Sequence, residues 1–451
     1  MRAFTSIGLI AALLVSCTPT PAPRPPLAAA TASATSQPSA AGTVGVGGLA
    51  ERPVAMIVSA ERWATVPDGL YPDGPVVTVT FPSVDAAGGR PRARLRSTGQ
   101  TVDLRQTAPA SVAAGTAAAQ RWTGLVPLEG ARVGEQTVDV IVRLRDGSDA
   151  VVASSTFQLS MPEYVVWTLD FEGDAASNET LDNTWDIART LSIPMTIMWN
   201  PRVWTTTQVS AERAAVMAGW MKNIADAGMA EIALHLHAWT DFVRAAGVTP
   251  RTAPSWAGRS DGYDVPLTAF DEAETRKLID HGVKLMVDHG MPRPTSFRGG
   301  GLFANAANLR AIAAAGFTVD SSGTSAGVFG RLPLPWTLAK DAQPYRPSKD
   351  DANAAGDLPL LEAPNIAGNT YALDTRTIQP VIAADRAMLA LPGRPATAAR
   401  VLTLVSHPGT IDATERAAIE SLFRALEPYR FDRDRGPVRF ITLAQLGKAL
   451  K

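Results

Sequence analysis

Residues 164–172 read YVVWTLDFE, and the fold turns on that run. Tyr164 to Leu169 form an apolar, β-favouring stretch of the kind found in strands covered on both faces, and Asp170 then falls at the strand's C-terminal end. Downstream the pattern alternates between strand and helix. Residues 178–191 read as a helix with Asn178 as its cap, 194–199 (PMTIMW) as a strand, and 210–227 as a helix capped by Ser210 and ended by Gly228. Strand 231–237, helix 271–289, strand 295–298, helix 304–315 and strand 317–320 follow. Strands at 359–363, 401–406 and 438–442 and a helix at 412–426 precede a final helix. Repeated strand-then-helix units predict a parallel sheet with helices outside, most simply a (β/α) barrel over residues 161–451.

Upstream the rhythm differs. Between residues 51 and 160, short runs such as VVTVT (76–80), TVDVIV (137–142) and VVASSTF (151–157) are punctuated by turn material such as Asp73-Gly74-Pro75 and Asp146-Gly147. About 110 residues of this kind predict an all-β, immunoglobulin-like sandwich, acting as a spacer or as a carbohydrate-binding module. Residues 18–50 are Pro/Ala/Ser/Thr-rich with Arg24 as the only charge, the composition of a disordered linker. Residues 1–17 have a basic start, an apolar stretch and LVSC at 14–17. They read as a secretory signal whose end resembles the lipobox of bacterial lipoproteins, so Cys17 is expected to be lipidated and to anchor the chain in a membrane at the cell envelope. Thr18 after that Cys resembles lipoproteins of the outer membrane.

Composition narrows the function. The 451 residues carry 42 Lys+Arg against 43 Asp+Glu, a net charge of -1, which argues against a nucleic-acid partner. One Cys excludes an intrachain disulfide framework. Beyond the N-terminus no apolar run is long enough to span a bilayer.

The polar residues fall at strand ends: Asp170 on the first, His235 and His237 on the third, then Arg298, Asp320 and, after a late strand, His407. In a parallel barrel those ends converge on one mouth. His235 and His237 are two apart on a strand, so both imidazoles share a face; with a carboxylate they make a three-ligand divalent metal site. The competing reading is a pair of core histidines bonded to backbone. Asp170 and Glu172 share a face if the strand continues past Phe171; taken alone they read first as loop or helix-capping carboxylates on the turn after the strand. His281 and His289, on a polar helix, read as solvent-facing. Gly299 to Gly301 lack the Lys and Ser/Thr of a phosphate loop and read as a turn that lets substrate approach backbone. Trp199, Trp239, Trp256 and Trp336 are candidates for stacking on sugar rings or for core packing.

Four runs, WTLDFEGD (167–174), EIALHLHAW (231–239), SFRGGGLFANAANLRAIAAAGFTVDSS (296–322) and LVSHPGTID (404–412), together resemble the polysaccharide deacetylase group (NodB-homology, carbohydrate esterase family 4) over roughly residues 161–451. The resemblance implies an α/β fold with a distorted (β/α) barrel, preceded here by the β-sandwich, and a divalent metal, most often zinc. It implies hydrolysis of N-acetyl groups on a polysaccharide. Carried over residue by residue, it makes Asp170 the general base, Glu172, His235 and His237 the metal ligands, Arg298 the residue holding the base, and His407 the acid that protonates the departing amine. Asp320, after AGF, is expected to orient Arg298 or a loop. Trp239, Asp320 and Gly300 are expected on the substrate side. The chain departs from the family in having Asp170-Phe171-Glu172 where adjacent aspartates are usual, and Trp239 where a second histidine is usual, so either Asp170 or Glu172 is open as the ligand. Two further readings stand beside it: a catalytically silent glycan-binding lipoprotein, and a metal-dependent amidase or esterase acting on another acylated substrate.

Overall fold

A computed structural model describes residues 56–81, 90–107, 120–144 and 146–451; the expected signal (1–17) and linker (18–50) lie outside the described residues. The first part holds nine strands: β1 (Met56–Ala60), β2 (Trp63–Thr65), β3 (Val76–Phe81), β4 (Arg92–Leu95), β5 (Thr101–Asp103), β6 (Arg105–Thr107), β7 (Gln120–Leu125), β8 (Gly134–Arg143) and β9 (Asp149–Ser160). They form two sheets, ordered β1-β3-β7-β6 and β2-β9-β8-β4-β5. Alternate residues such as Val77, Val79, Ala93, Leu95, Val138 and Val140 are buried between them, the period-2 pattern of strands with one wet face.

Beyond Ser160 the strands become parallel. β10 (Glu163–Asp170), β11 (Met195–Trp199), β12 (Ala230–Leu236), β13 (Ser296–Gly299) and β14 (Val319–Asp320) lead to a two-stranded hairpin, β15 (Val328–Phe329) and β16 (Leu332–Pro333), and then to β17 (Leu361–Glu362), β18 (Arg400–Ser406) and β19 (Val438–Phe440). The sheet order is β17-β14-β13-β12-β11-β10-β18, with β19 also on β10, and every pairing in it is parallel. The ring closes through irregular backbone: Val405 donates to Gly368 O at 3.0 Å, and Thr370 donates to Val405 O at 2.9 Å. This is the distorted (β/α) barrel expected of the α/β pattern.

The helices between strands are α1 (Asn178–Leu191), α2 (Ala211–Asp226), α3 (Thr240–Ala245), α4 (Glu272–Asp288), α5 (Ala306–Ala314), α6 (Gln379–Met388), α7 (Ala413–Ala425) and α8 (Leu443–Ala449). The cap of α1 is Ser177, which accepts from Thr180 N, and not Asn178. α4 starts with a reciprocal capping box between Asp271 and Glu274. The short α3, the helix α6 and the hairpin were not expected from the sequence pattern.

β10 shows how the barrel is built polar at one end. Its residues Val165, Trp167 and Leu169 face the core shared with the outer helices, while Tyr164 and Val166 belong to a second cluster with Val319, Val401, Leu443 and Leu446. That second cluster fills the N-terminal end of the barrel, with α8 packed across it. Continuing the same face toward the C-terminal end gives Thr168 and then Asp170. The interior therefore runs from apolar to polar along each strand, and the chemistry gathers at the C-terminal mouth.

Candidate metal centre

Every charged group at the mouth is delivered by backbone whose direction is already set. Asp170 ends β10, and Phe171 N still bonds Met198 O at 2.9 Å, which keeps the chain extended and places Glu172 on the same face as Asp170. Gly173 then turns the chain at φ +87, where a side chain would strike Asn200. His235 and His237 leave β12 in phase, their rings 4.9 Å apart at 83°. Arg298 stands on β13, directly opposite His235 in register. His407 follows β18.

The two histidines are fixed in the tautomer that ligation needs. His235 Nδ1 lies 3.1 Å from the Arg298 carbonyl and His237 Nδ1 lies 2.8 Å from the Tyr263 carbonyl. Each Nδ1–H donates to its carbonyl, so each Nε2 is left to face the mouth. His235 is 1% exposed and its Nε2 has no hydrogen-bond partner. An orphaned buried imidazole nitrogen is costly unless something absent from the protein atoms satisfies it. Its nearest carboxylate oxygens are Glu172 Oε1 at 3.8 Å and Asp170 Oδ2 at 3.9 Å. His237 Nε2 lies 2.6 Å from Glu172 Oε2. One atom each of Glu172, His235 and His237 lies within 4.8 Å of the others, a set that small rotamer changes would bring to the roughly 2.0–2.2 Å bonds of zinc. The donor set therefore fits a divalent cation. Glu172 lies near both histidines, Asp170 Oδ2 lies as near to His235, and Asp170, Glu172 and His407 form a second group of the same closeness.

Asp170 is engaged by Arg298. That guanidinium is fully buried and donates through Nη1 to Asp170 Oδ1 at 2.6 Å and to Thr168 Oγ1 at 2.7 Å. Its Nε donates to Ser321 O at 2.8 Å, and its Nη2 to Ser321 Oγ at 2.9 Å and Asn365 Oδ1 at 2.5 Å. Five contacts lock the arginine, and the arginine locks one oxygen of Asp170 while Oδ2 stays open to the mouth. His407 Nε2 approaches Glu172 Oε1 at 3.5 Å from the far side, and its Nδ1 is buried without a partner.

Tyr263, in the irregular segment between α3 and α4, ties Glu172 and His237 together. Its hydroxyl donates to Glu172 Oε2 at 2.7 Å, its carbonyl holds His237, and its ring stacks on the His237 ring at 4.3 Å and 3°. Burial works against the charge of Glu172, but the two imidazoles outweigh it and hold that carboxyl well below the usual range. Burial likewise pushes His237 down, yet the charge and hydrogen bond of Glu172 raise it above the ordinary 6.5. In the metal-free protein a proton between His237 and Glu172 thus stands where a cation would. Two results are expected. Tyr263→Phe, which keeps ring and carbonyl, weakens metal binding by about tenfold in a chelator competition, the size typical of an outer hydrogen-bond partner. Zinc binding at neutral pH by the unmodified chain releases about one proton, read as a buffer-dependent calorimetric enthalpy that declines as pH rises above the His237 range; an enthalpy independent of buffer would contradict this assignment.

Three expected substrate contacts are corrected. Trp239 is 4% exposed; its Nε1 donates to Glu172 O at 2.8 Å and its ring lies under Arg202 at 3.7 Å, so it pins the loop that carries Glu172. Gly300 is buried against His237, where a Cβ would come within 2.6 Å of Nδ1. It makes room for the His237 ring. Asp320 is fully buried and bonds Ser322 N at 3.1 Å and Ser322 Oγ at 3.0 Å. Among the contacts of Arg298 it is the neighbour Ser321 that appears, so Asp320 does not orient the arginine directly. Burial raises Asp320, and burial together with Asp320 raises Glu362 well above its usual value. Trp199, Trp256 and Trp336 are buried too. His289 caps α4, with Nδ1 2.8 Å from Leu285 O and its ring stacked on Trp204 at 4.1 Å, away from the mouth.

Compared with known proteins, the chain matches no family model and no curated protein. Among solved structures it is similar to a protein of Mycobacterium smegmatis assigned to the polysaccharide deacetylases, with 18% identity over 63% of this chain and 88% of that one and a TM-score of 0.40. A family 4 carbohydrate esterase from Streptomyces lividans, in complex with acetate, is similar at 13% identity over 61% of this chain and 96% of that one, with a TM-score of 0.31. A polysaccharide deacetylase from Bacillus cereus shows 6% identity over 61% and 89%, with a TM-score of 0.21.

Proposed function

We propose that this chain is a metal-dependent hydrolase that removes N-acetyl groups from a polysaccharide, breaking a non-peptide carbon–nitrogen bond. One observation carries the reading: an arginine-held carboxylate with one free oxygen, Asp170, lies beside a close-set Glu172–His235–His237 group, with a third imidazole, His407, 3.5 Å from Glu172. A divalent cation, most simply zinc, would polarise the acyl carbonyl and acidify water there. Asp170 Oδ2 takes the proton of the attacking water as the new carbon–oxygen bond forms. Because Arg298 holds the other oxygen of that carboxylate, the free oxygen needs no reorientation at the moment of transfer. His407 Nε2–H then gives a proton to the nitrogen as the carbon–nitrogen bond breaks, so the product leaves as a neutral amine. Arg298 takes no part in the bond making and breaking; it keeps Asp170 aimed.

The reading of residues 1–17 as a lipoprotein signal supports a place at the cell envelope, with Cys17 as the lipid anchor and an envelope or extracellular polysaccharide as substrate. The full chain loaded with zinc is expected to hold one metal per molecule and to release acetate from N-acetylated oligosaccharides. Absence of both metal uptake and acetate release would reject the proposal. The role of His407 has its own test. In His407→Gln the rate on an N-acetyl amide falls by about 10²–10⁴-fold, whereas an activated aryl acetate, whose leaving group needs no proton, loses far less. Equal losses on the two substrates would remove His407 as the acid.

A further inference from the structure

Among the described residues only two aromatic side chains are strongly exposed, Phe329 at 38% and Tyr371 at 52%, and both line the same cavity. That cavity, about 290 Å³, is also lined by Asp170, Glu172 and His407. It lies at the small end of the roughly 300–1,000 Å³ of ligand sites, room for about one ring of a larger molecule. The two aromatics come from unrelated segments. Phe329 sits in the β15–β16 hairpin and is braced edge-on by Trp256 at 5.4 Å and Phe303 at 6.3 Å. Gly330, at φ +58, lets that hairpin press on the Trp256 backbone, where a side chain would come within 2.2 Å of the carbonyl oxygen. Tyr371 follows the segment that closes the barrel; its N–H is held by Asn369 Oδ1 at 2.9 Å, and its ring stands edge-on to His407 at 5.6 Å and 85°. Rings kept in water on braced backbone, beside exposed Asp174 and Asn369 in the same wall, present flat apolar faces next to hydrogen-bonding groups.

A pyranose has the matching chemistry, a C–H face that stacks on an aromatic ring and a rim of hydroxyls for a carboxylate and an amide. We infer that Phe329 and Tyr371 form the platform that seats sugar rings of the polymer at the mouth, in place of the four tryptophans, all of which are buried. This inference rests on the hydrolase reading for its substrate class, but its test does not. Binding of a β-linked N-acetylhexosamine pentamer to the zinc-loaded full chain is measured by calorimetry, alongside hydrolysis of a small aryl acetate. Phe329→Ala and Tyr371→Ala are each expected to raise the Kd for the pentamer about tenfold, equivalent to about 1.4 kcal/mol, with aryl acetate turnover kept within about twofold. Phe329→Trp and Tyr371→Phe, which keep a ring, are expected to retain binding, and this separates stacking from a disturbed fold. Pentamer binding unchanged in both alanine variants, or no pentamer binding by the unsubstituted chain, would overturn the platform. If the pentamer binds through these rings while neither substrate is cleaved, the hydrolase reading fails and the platform stands.

Discussion

His235→Ala is expected to leave the chain folded, with metal content well below one per molecule and acetate release reduced on the order of 10³-fold or more. The magnitude follows from the position. Loss of an outer hydrogen-bond partner typically costs about 10–100-fold in affinity, and loss of a ligand itself costs more. Of the Glu172–His235–His237 set only two members would remain. Metal-free stability should fall by a few kcal/mol at most, because a buried ring is lost and the Arg298 carbonyl loses its donor, so the metal effect is read as the difference between melts and not from the melt itself. The stabilisation that zinc confers on the native chain, about 2.7 kcal/mol at a hundredfold excess over Kd, should vanish in the variant. Thermal melts with and without zinc therefore separate loss of the ligand from loss of the fold. A variant that still takes up one zinc and melts later in its presence would show that the Glu172–His235–His237 set is not the metal centre.

How much of this was legible in the chain depends on how local the cause is. The run 164–169 is buried on both faces, and a strand covered on both sides has to be apolar throughout, so β10 is visible in the residues themselves. Period 2 places His235 with His237 and Asp170 with Glu172 without any tertiary information. Capping residues such as Asp271 and Ser210 are local as well. Thr168, which shares Arg298 with Asp170, lies two residues before it, and the same alternation could have found it. Tyr263 could not be found that way. It lies in irregular chain between α3 and α4, and its contacts with Glu172 and His237 span 91 and 26 residues. Ser321 and Asn365 reach Arg298 only because β13, β14 and β17 are neighbours in the sheet. The tryptophans mislead for the same reason. Aromatic character is readable in sequence but exposure is not, and the rings that meet solvent at the mouth lie in a short hairpin and a closing segment that carry no periodic signal. The bond of Arg298 to Asp170, the one contact by which the two carboxylates on that face differ most, likewise depends on the sheet order and not on the local run.

Asp170→Asn is the sharper test of that distinction. An amide of the same shape can still accept from Arg298 through its oxygen, so the mouth should keep its form and zinc should still bind through Glu172, His235 and His237. What is lost is the basicity of the free oxygen. The expected result is a kcat lower by about 10²–10⁴-fold, with KM and metal content close to those of the unsubstituted chain. The substitution has a structural cost that must be measured beside the rate. Arg298 is fully buried, and breaking a buried ion pair from one side costs about 3–5 kcal/mol when nothing else meets the charge. Here Ser321 and Asn365 still accept from the guanidinium, so the loss of stability should fall below that range, and assays well under the variant's melting temperature remain meaningful. If the variant instead loses its zinc, Asp170 is a ligand and Glu172 becomes the candidate base, the exchange of roles that their shared face allows. If it keeps both zinc and full turnover, neither the base nor the arginine that holds it takes part in the reaction as described, and His407 would be left as the one proton carrier beside the cation.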